Sequence, residues 1–435
     1  MAEGNPLIIQ WIIGQIDVAQ DYDEVLSDLS LGKGKAARRV FDRSFDLEHL
    51  TDDGRDALLA LSLFAPNASR AALAEVAGFG DDTDRLNEAL KRLSMLRLLT
   101  PLKGGHRLEV KGLTRDFAKA RLQNGGRCDE FRRRFIDYFL WFCEKYAEPV
   151  PGNYDALESE KDNLVAAIET AFNLQDWQKV MRLVGIVAPQ PQNMMNIRGY
   201  WSEGITCGEQ ALKAARQLQS EADIASYTHN LGITYQSRGE LAEARKLYDE
   251  SLEIEKKLGN QSGIALTLHN LAAIAQGQGE LGEARRLYDE SLEINRNLGN
   301  QSGIAMTLHQ LAMLAQGRGE MDEARRLYDE SIEIAKKFGN QESIGATLHN
   351  LAVIAQYQGK LDEARRLYSE SMEIKKRLGN QSGIALTLAR LGMLAEDEGN
   401  KKEAARLFRE ALTIFEKLGS PNAEPARRAL ERVTE

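Results

Sequence analysis

The sequence has few cysteines and no long apolar run. Among its 435 residues are three cysteines, Cys128, Cys143 and Cys207, which lie far apart and form no Cys-x-x-Cys spacing. This scarcity argues against a disulfide framework and against a thiolate zinc site. The apolar run at residues 6–13 is much shorter than the roughly 18 to 20 residues of a membrane span. Because Glu3 rather than a basic residue precedes it, the run is also unlike a signal peptide, and we expect a cytoplasmic protein.

An excess of positive charge is missing as well. Lys and Arg number 56 against 65 Asp and Glu, a formal net charge of −9. Such a chain has no global field that favours nucleic acid. Hydrophobic residues make up 43% and charged residues 28% of the sequence. This composition can bury a core, so disordered and fibrous classes are excluded.

The sequence contains no recognisable catalytic motif. Its nearest approach to a phosphate-binding loop, residues 31–38 (LGKGKAAR), lacks the spacing and the Lys-Ser/Thr pair that hold phosphate and magnesium. No Ser or Cys stands at a suggestive spacing from a histidine, and no acidic pair lies in an apolar context. We therefore expect that this chain is not an enzyme.

A long internal repeat dominates the second half. From Leu241 a unit of 40 residues recurs without a gap, and the units that begin at Leu241 and Leu281 are identical at 30 of 40 positions. Two further copies begin at Met321 and Leu361, and a partial copy begins at Lys401. A single unit cannot cover its own apolar stripe, so neighbouring units must stack into a solenoid.

Each unit predicts two helices. In the unit that begins at Leu241 and its successor, apolar residues three and four positions apart predict helices over residues 265–278 and 281–298. Gly279 and Gly299 are expected to end them, because glycine adopts the left-handed conformation without a steric penalty. Ser302 is the expected N-cap of the next helix.

The framework of the unit resembles the tetratricopeptide repeat. In the first full unit the matching positions are Leu231, Gly232, Tyr235, Ala244, Tyr248 and Ser251. The usual period of that family is about 34 residues, and the extra residues around the LGNQSG stretch resemble the longer repeat of kinesin light chains and many bacterial signalling proteins. The resemblance implies an all-α fold, with a right-handed superhelix and a C-terminal cap over residues 221–435.

The same resemblance implies a concave groove lined by the first helix of each unit. The candidate groove residues are His229, Asn230, His269, Asn270, His309, Gln310, His349, Asn350, Arg390, Met313, Val353 and Met393. Amide and guanidinium groups can bind the backbone or carboxylate of an extended peptide, so we expect a protein or peptide ligand. The alternative is that these residues are framework, shared only because the units were duplicated recently.

Four of the six histidines recur at one position of the repeat. Stacked helices lie about 8–10 Å apart, whereas the ligands of one zinc ion lie within about 3.5 Å of each other, since zinc–nitrogen bonds are about 2.0–2.1 Å. We therefore expect no metal site.

Residues 30–125 have another pattern. Helices are expected after Thr51, Ser69 and Asp82, which are all residue types that cap helix N-termini. A short hairpin over residues 98–100 and 107–110, with a turn at 103–105, is expected to follow. A closing helix is expected over residues 113–122. Three helices with a hairpin describe a winged helix.

In detail this half is similar to one family. Three stretches resemble the winged helix of STAND-class signalling ATPases of the NB-ARC type: ALLALSLFAPNASRAALAEVAG, LNEALKRLSMLRLL and LEVKGLTRDFAKARL. The start, GNPL at residues 4–7, is similar to the GLPL motif of that family. The resemblance implies a remnant of the nucleotide domain over residues 1–29, a winged helix over 30–125, bridging helical hairpins over 126–220, and the repeats.

Two departures from that family bear on function. The missing Walker A motif implies the C-terminal part of a switch, without the domain that binds ADP or ATP with magnesium. The Met-His-Asp motif of the family, whose His contacts phosphate, aligns with Val110, Lys111 and Gly112. Pro6 and Lys111 are therefore candidate remnants of a nucleotide contact, and we expect no cofactor in this chain.

The resemblance implies a non-enzymatic sensor and scaffold module of a signal-transduction switch. In such a module the groove binds the ligand and the winged helix relays binding to the nucleotide domain. Two alternatives remain open: residual ADP or ATP binding, and DNA binding by the winged helix. The local basic residues for DNA binding are Arg115, Arg121, Arg127, Arg132, Arg133 and Arg134.

Overall fold

The computed structural model describes residues 6–19, 36–101, 106–188, 193–418 and 420–434. These residues are almost entirely helical, and the chain divides into two compact units, Met1–Leu247 and Tyr248–Glu435. The all-α prediction is confirmed. Among the described residues, no helix is long and apolar enough to cross a membrane.

Helices in unit 1 follow each other from near the start of the chain. They are α1 (Pro6–Ala19), α2 (Ala36–Asp46), α3 (Asp52–Leu61), α4 (Arg70–Ala77), α5 (Thr83–Met95), α6 (Gly112–Asn124), α7 (Cys128–Lys145), α8 (Pro151–Ser159), α9 (Lys161–Asn173), α10 (Trp177–Val187), α11 (Met194–Ile197), α12 (Trp201–Gln217) and α13 (Glu221–Ser237). The next helix, α14 (Leu241–Leu258), spans the boundary between the units.

Three predicted caps begin α3, α4 and α5. The side chain of Thr51 accepts a hydrogen bond from the amide of Gly54, and that of Ser69 accepts one from the amide of Ala72. Asp82 does the same for the third helix. Each cap satisfies an amide that has no partner within the helix, so these helices begin where the sequence predicts.

A small antiparallel sheet accompanies these helices. Its strands are β1 (Ala68–Ser69), β2 (Thr100–Pro101) and β3 (Arg107–Glu109), in the order β1-β3-β2. The hairpin of β2 and β3 was predicted, although β2 begins only at Thr100, the first residue that pairs with β3, and the preceding Leu98 and Leu99 are buried. Strand β1 was not predicted, and the expected turn at 103–105 lies outside the described residues.

An aromatic cluster joins the first helices of unit 1 to α7. The ring of Phe64 lies 5.1 Å from that of Phe135, and Phe135 lies 4.9 Å from Phe139, both in edge-to-face geometry. All three side chains are fully buried, and such pairs contribute about 0.5–1.5 kcal/mol beyond their area. This cluster packs α7 against the turn that follows α3.

Unit 2 consists of stacked helical hairpins. We call the first helix of each hairpin the A helix and the second the B helix. The A helices are α15 (Gln261–Gly277), α17 (Gln301–Gly317), α19 (Gln341–Tyr357) and α21 (Gln381–Asp397), and the B helices are α16 (Leu281–Asn297), α18 (Met321–Lys337), α20 (Leu361–Arg377) and α22 (Lys401–Lys417). A final helix, α23 (Ala423–Thr434), packs against α22.

The A helices begin four residues earlier than predicted. Asn300 caps α17 by accepting a hydrogen bond from the amide of Gly303 at 3.1 Å, so the prediction that Ser302 is the cap was wrong. Since the helix starts at Gln301, Ser302 already lies in its first turn. The predicted stops are confirmed, with φ of 81° at Gly279 and 66° at Gly299.

The first three hairpins of unit 2 are each held by a tyrosine and a serine on the B helix. Tyr288, Tyr328 and Tyr368 are fully buried, and the hydroxyl of Tyr328 lies 3.1 Å from Gln316 Oε1 on the preceding A helix. The hydroxyl of Ser331 donates to the carbonyl of Ala305 at 2.8 Å. Because the equivalent bonds recur in the neighbouring units, each B helix has the same register on its A helix.

Candidate functional site: the inner face of the A helices

The A helices of unit 2 form the inner side of a curved stack. Successive A helices contact one another directly, and successive B helices do so less. A stack of hairpins that approach more closely on one side curves toward that side. The solvent-exposed face of the A helices is therefore concave, as the tetratricopeptide resemblance implies.

Three rows of residues cross this inner face, which we call the groove. Residues four and seven positions apart lie on one face of a helix, so each A helix contributes one residue to each row. The central row is Asn270, Gln310, Asn350 and Arg390. The first flanking row is Leu266, Met306, Ala346 and Leu386, and the second is Ala273, Met313, Val353 and Met393.

Most of the large apolar residues in the flanking rows face solvent. Leu266 and Met306 are 48% and 45% exposed, and Met313, Leu386 and Met393 are each 40% exposed. Buried A-helix residues such as Leu268 and Leu308 have exposures of 2% or less. Val353, which was a predicted groove residue, is only 6% exposed and presents little surface. One exposed aromatic residue was not predicted from the sequence. Tyr357 is 71% exposed and occupies a position that is Gly or Asp in the other units of unit 2.

The repeated histidines lie beside the central row and point between the units. Nδ1 of His309 lies 3.0 Å from the hydroxyl of Thr347 on the next A helix, and its ring contacts Tyr328 edge-to-face. The same pair of contacts is made by His269 and by His349. Each histidine therefore joins its own hairpin to the following one.

Two of the threonine partners fix the tautomer of their histidines, His269 and His349. The hydroxyls of Thr307 and Thr387 donate to the carbonyls of Gly303 and Gly383. A hydroxyl that donates elsewhere can only accept from the imidazole, so Nδ1 of these two histidines carries the hydrogen and Nε2 is left as an acceptor. In agreement, the amide nitrogen of Asn350 lies 3.4 Å from Nε2 of His309.

Burial keeps these histidines neutral. Desolvation lowers the pKa of His229, His269 and His309 to about 4. For His349 desolvation, with the charges of Lys375 and Arg390, lowers the pKa to about 3. At neutral pH the row of imidazoles thus adds hydrogen-bonding capacity without charge. Among the described residues no group of three His, Cys, Asp or Glu could hold a metal ion.

The remaining candidates lie in unit 1. His229 is buried and Asn230 half-buried on α13. Lys111 is exposed at the start of α6, and its ammonium donates to Gln10 on α1 at 3.3 Å. Pro6 is the first residue of α1, although its side chain lies outside the described residues. The proposed nucleotide contact of Pro6 and Lys111 stays a prediction.

Many of the basic residues considered for DNA binding are engaged within unit 1. Arg127 contacts Asp56 at 2.9 Å, and Arg121 pairs with Asp46. The other contacts are those of Arg132 with Asp129, Arg134 with Glu130, and Arg115 with the carbonyl of Pro66. The carboxylates among these partners offset positive charge that would attract a phosphate backbone.

Comparison with known families identifies the repeats. Residues 195–374 match the model of the MalT-like TPR region, and residues 343–417 match that of the tetratricopeptide repeat. No curated protein matches the chain.

Solved structures are similar to this chain at low identity. A Signal Transduction ATPase with Numerous Domains (STAND) protein with a tetratricopeptide repeat sensor, from Pyrococcus horikoshii, is 16% identical, with 100% of this chain and 65% of that chain covered and a TM-score of 0.48. The apo quorum sensor NprR from B. thuringiensis is 14% identical, with 83% and 96% covered and a TM-score of 0.46. BtubC from P. vanneervenii is 16% identical, with 57% and 92% covered and a TM-score of 0.41. The family matches and the observed hairpins agree: the 40-residue units of this chain are tetratricopeptide repeats in an all-α solenoid.

Proposed function

We propose that this chain is a non-enzymatic sensor and scaffold module that binds a protein or peptide in the groove. One observation carries the proposal: two rows of exposed Met and Leu side chains flank a row of amide side chains on the concave face. Contiguous exposed apolar surface in a folded protein marks an interaction site, and methionine adapts its shape to varied ligands. The amides supply donors and acceptors for a peptide backbone.

We further propose that residues 30–125 act as a winged-helix relay of a STAND-type switch. The three capped helices and the antiparallel sheet of unit 1 support this interpretation. A ligand shifts such a switch only if it binds one conformation more tightly than the other. The nucleotide-binding domain that would receive the signal is a proposed partner. The paired arginines of unit 1 leave DNA binding without a favouring observation.

The test is a peptide selection on the full chain. Random peptides are selected against the native chain, and binders are measured by fluorescence anisotropy on the native chain and on Met306→Glu/Met313→Glu. Both positions are largely exposed, so the charges perturb the groove and not the core. Expected is a large loss of affinity in this variant, because a carboxylate replaces apolar contact surface.

A matched control is available at the C-terminal ends of the B helices. Leu298 and Phe338, at the ends of two B helices, are 47% and 65% exposed. The variant Leu298→Glu/Phe338→Glu introduces the same charges outside the groove and is expected to bind as the native chain does. If no selected peptide distinguishes the two variants, the groove is not the binding site.

A further inference from the structure

The C-terminal ends of the B helices carry a row of exposed apolar residues. Leu298, Phe338, Leu378 and Leu418 are the C-cap residues of α16, α18, α20 and α22, and they are between 47% and 65% exposed. Leu258, the last residue of α14, is 46% exposed. These positions are 40 residues apart in the sequence, so they lie at the same edge of successive hairpins.

Helix capping does not require apolar residues at these positions. The A helices end in the same way, with a C-cap residue that precedes a glycine of positive φ. Their C-cap residues are all polar, namely Gln278, Arg318, Gln358 and Glu398. The exposed apolar residues are therefore a property of the B-helix ends and not of helix ends in general.

An unpaired cation accompanies most of these apolar side chains. The residues directly before Leu258, Phe338, Leu378 and Leu418 are Lys257, Lys337, Arg377 and Lys417, and all four are exposed. The helix dipole favours a basic residue in the last turn, and in the described part of the chain no carboxylate pairs with any of these four. We call these four cations and the five apolar residues the B-helix edge.

Few acidic residues lie near the B-helix edge, and they are largely engaged. Lys336 pairs with Glu333, one turn earlier, at 3.3 Å. Glu416 pairs with Arg427 at 2.6 Å. The loops that follow the B helices read Gly-Asn-Gln-Ser at residues 259–262, 299–302 and 379–382, and only the loop at 339–342 contains an acid, Glu342. The edge is thus locally basic in a chain whose formal net charge is −9.

This pattern fits an anionic membrane surface better than a protein partner. Stacked helices lie about 8–10 Å apart, so the apolar side chains stand separately between polar loops. A protein interface has a contiguous apolar core. A bilayer instead accepts apolar side chains one at a time among its headgroups, while neighbouring Lys and Arg side chains contact the lipid phosphates.

We propose that the B-helix edge docks this chain on membranes that contain anionic lipid. Leu298, Phe338 and Leu378 insert between the headgroups, and Lys337 and Arg377 bind the phosphates. The groove lies on the A helices, so this inference is independent of the proposed peptide-binding function.

The experiment measures binding of the full chain to sedimented vesicles of phosphatidylcholine alone or of an equal mixture with phosphatidylglycerol, at low and at high salt. Two variants change the edge: Leu298→Glu/Phe338→Glu and Lys337→Gln/Arg377→Gln. The control for the first is Met306→Glu/Met313→Glu, which adds the same charges in the groove. The control for the second is Arg326→Gln/Arg409→Gln, which removes two exposed arginines from B helices away from their ends; among the described residues neither arginine forms an ion pair. Circular dichroism checks that each variant is folded.

We expect the native chain to bind the mixed vesicles and not the neutral ones, with weaker binding at high salt. Each cation near an anionic surface contributes about fivefold in affinity, so Lys337→Gln/Arg377→Gln should weaken binding about 30-fold. Leu298→Glu/Phe338→Glu should weaken it at least as much, because it removes inserted side chains and adds repulsion. Both control variants should bind as the native chain does.

Two results would overturn the inference. The first is that the controls lose as much binding as the edge variants, which would mean that net charge and not the edge governs vesicle binding. The second is that the native chain does not bind the mixed vesicles. If Leu298→Glu/Phe338→Glu then changes the mass of the native particle in solution, the edge is a contact between protein chains.

Discussion

Gly303 packs against Asn295, and this contact predicts how Gly303→Ala changes the free energy of unfolding. The size of the change depends on whether Asn295 is present. A Cβ at Gly303 would lie 2.3 Å from Asn295 Oδ1 and 2.6 Å from its Cγ, and both distances are too short for real contacts. Asn295 is only 4% exposed, and its amide nitrogen donates to the carbonyl of Ser291 at 3.0 Å. Its oxygen accepts from Asn300 at 2.8 Å. Gly303→Ala therefore forces Asn295 out of a hydrogen-bonded position.

The cost follows from these contacts. Two lost hydrogen bonds cost about 1 kcal/mol each, overpacking adds about 1 kcal/mol or more, and the better helix propensity of alanine returns up to about 1 kcal/mol. We expect Gly303→Ala to lower the free energy of unfolding by about 2 kcal/mol. In an Asn295→Ala background the two shortest contacts are gone, and only the side-chain nitrogen of Asn300, 2.7 Å from the Cβ position, still has to move, so the same substitution should be close to neutral.

Another unit of the chain already combines a small B-helix residue with a side chain at the glycine position, as the double variant Asn295→Ala/Gly303→Ala would. In the next unit Ala335 and Ser343 occupy these two positions, so a small B-helix residue already accompanies a side chain at the glycine position. The assay is urea unfolding of the four members of the cycle, followed by far-UV circular dichroism. A coupling near zero, with Gly303→Ala equally harmful in both backgrounds, would refute the steric argument.

Three further predictions concern the repeats. Tyr328→Phe should cost about 1 kcal/mol in urea unfolding, because it removes the bond to Gln316 Oε1, whereas Gln316→Glu in that background should restore little. Asn300→Ala should cost about 2 kcal/mol, because it removes both the cap and the bond to Asn295 Oδ1, and Ser302→Ala almost nothing; equal losses in melting temperature would contradict the assignment. The free energy of unfolding should fall as the pH drops from 6.5 toward 4. In this range the histidines of the unfolded chain bind protons, whereas His269 and His309 in the folded chain, with pKa values of about 4, stay neutral. The loss is about 2 kcal/mol per histidine by pH 5, and His309→Gln should reduce the pH slope relative to the native chain.

Much of this fold could be predicted because the repeat makes the pattern visible many times. The glycines at 279 and 299 and the caps at Thr51, Ser69 and Asp82 are local signals, and each appears where the sequence places it. Strand β1 could not be found, since two residues carry no periodicity. The cap at Asn300 was misassigned because Asn and Ser both cap helices, and only the start of the helix decides between them.

The glycine in the first turn of most A helices is a sequence signal for a contact with the preceding helix, and no such contact was predicted. Long polar residues on the preceding B helix accompany the glycines: Glu255 with Gly263, Asn295 with Gly303, and Lys375 with Gly383. Ala335 accompanies Ser343 instead. This pairing within one sequence predicts a contact across the hairpins without any other information. The sequence alone does not explain the pairing, because only the structure shows that these polar side chains occupy the space beside each glycine.

The two residues of each His-Asn or His-Gln dipeptide have different roles. From the sequence, a framework role and a ligand-binding role were alternatives for both residues. The histidine reaches the threonine of the next A helix, as His309 reaches Thr347, and so sets the spacing between units. Its neighbour in sequence faces the groove, and this position varies as Asn, Gln, Asn and Arg. In the last unit Ala389 replaces the histidine, and the residue 40 positions after Thr387 is Arg427, so the partner and the histidine disappear together. The framework interpretation thus accounts for the histidines, whereas the neighbouring position, which faces the groove, varies between units.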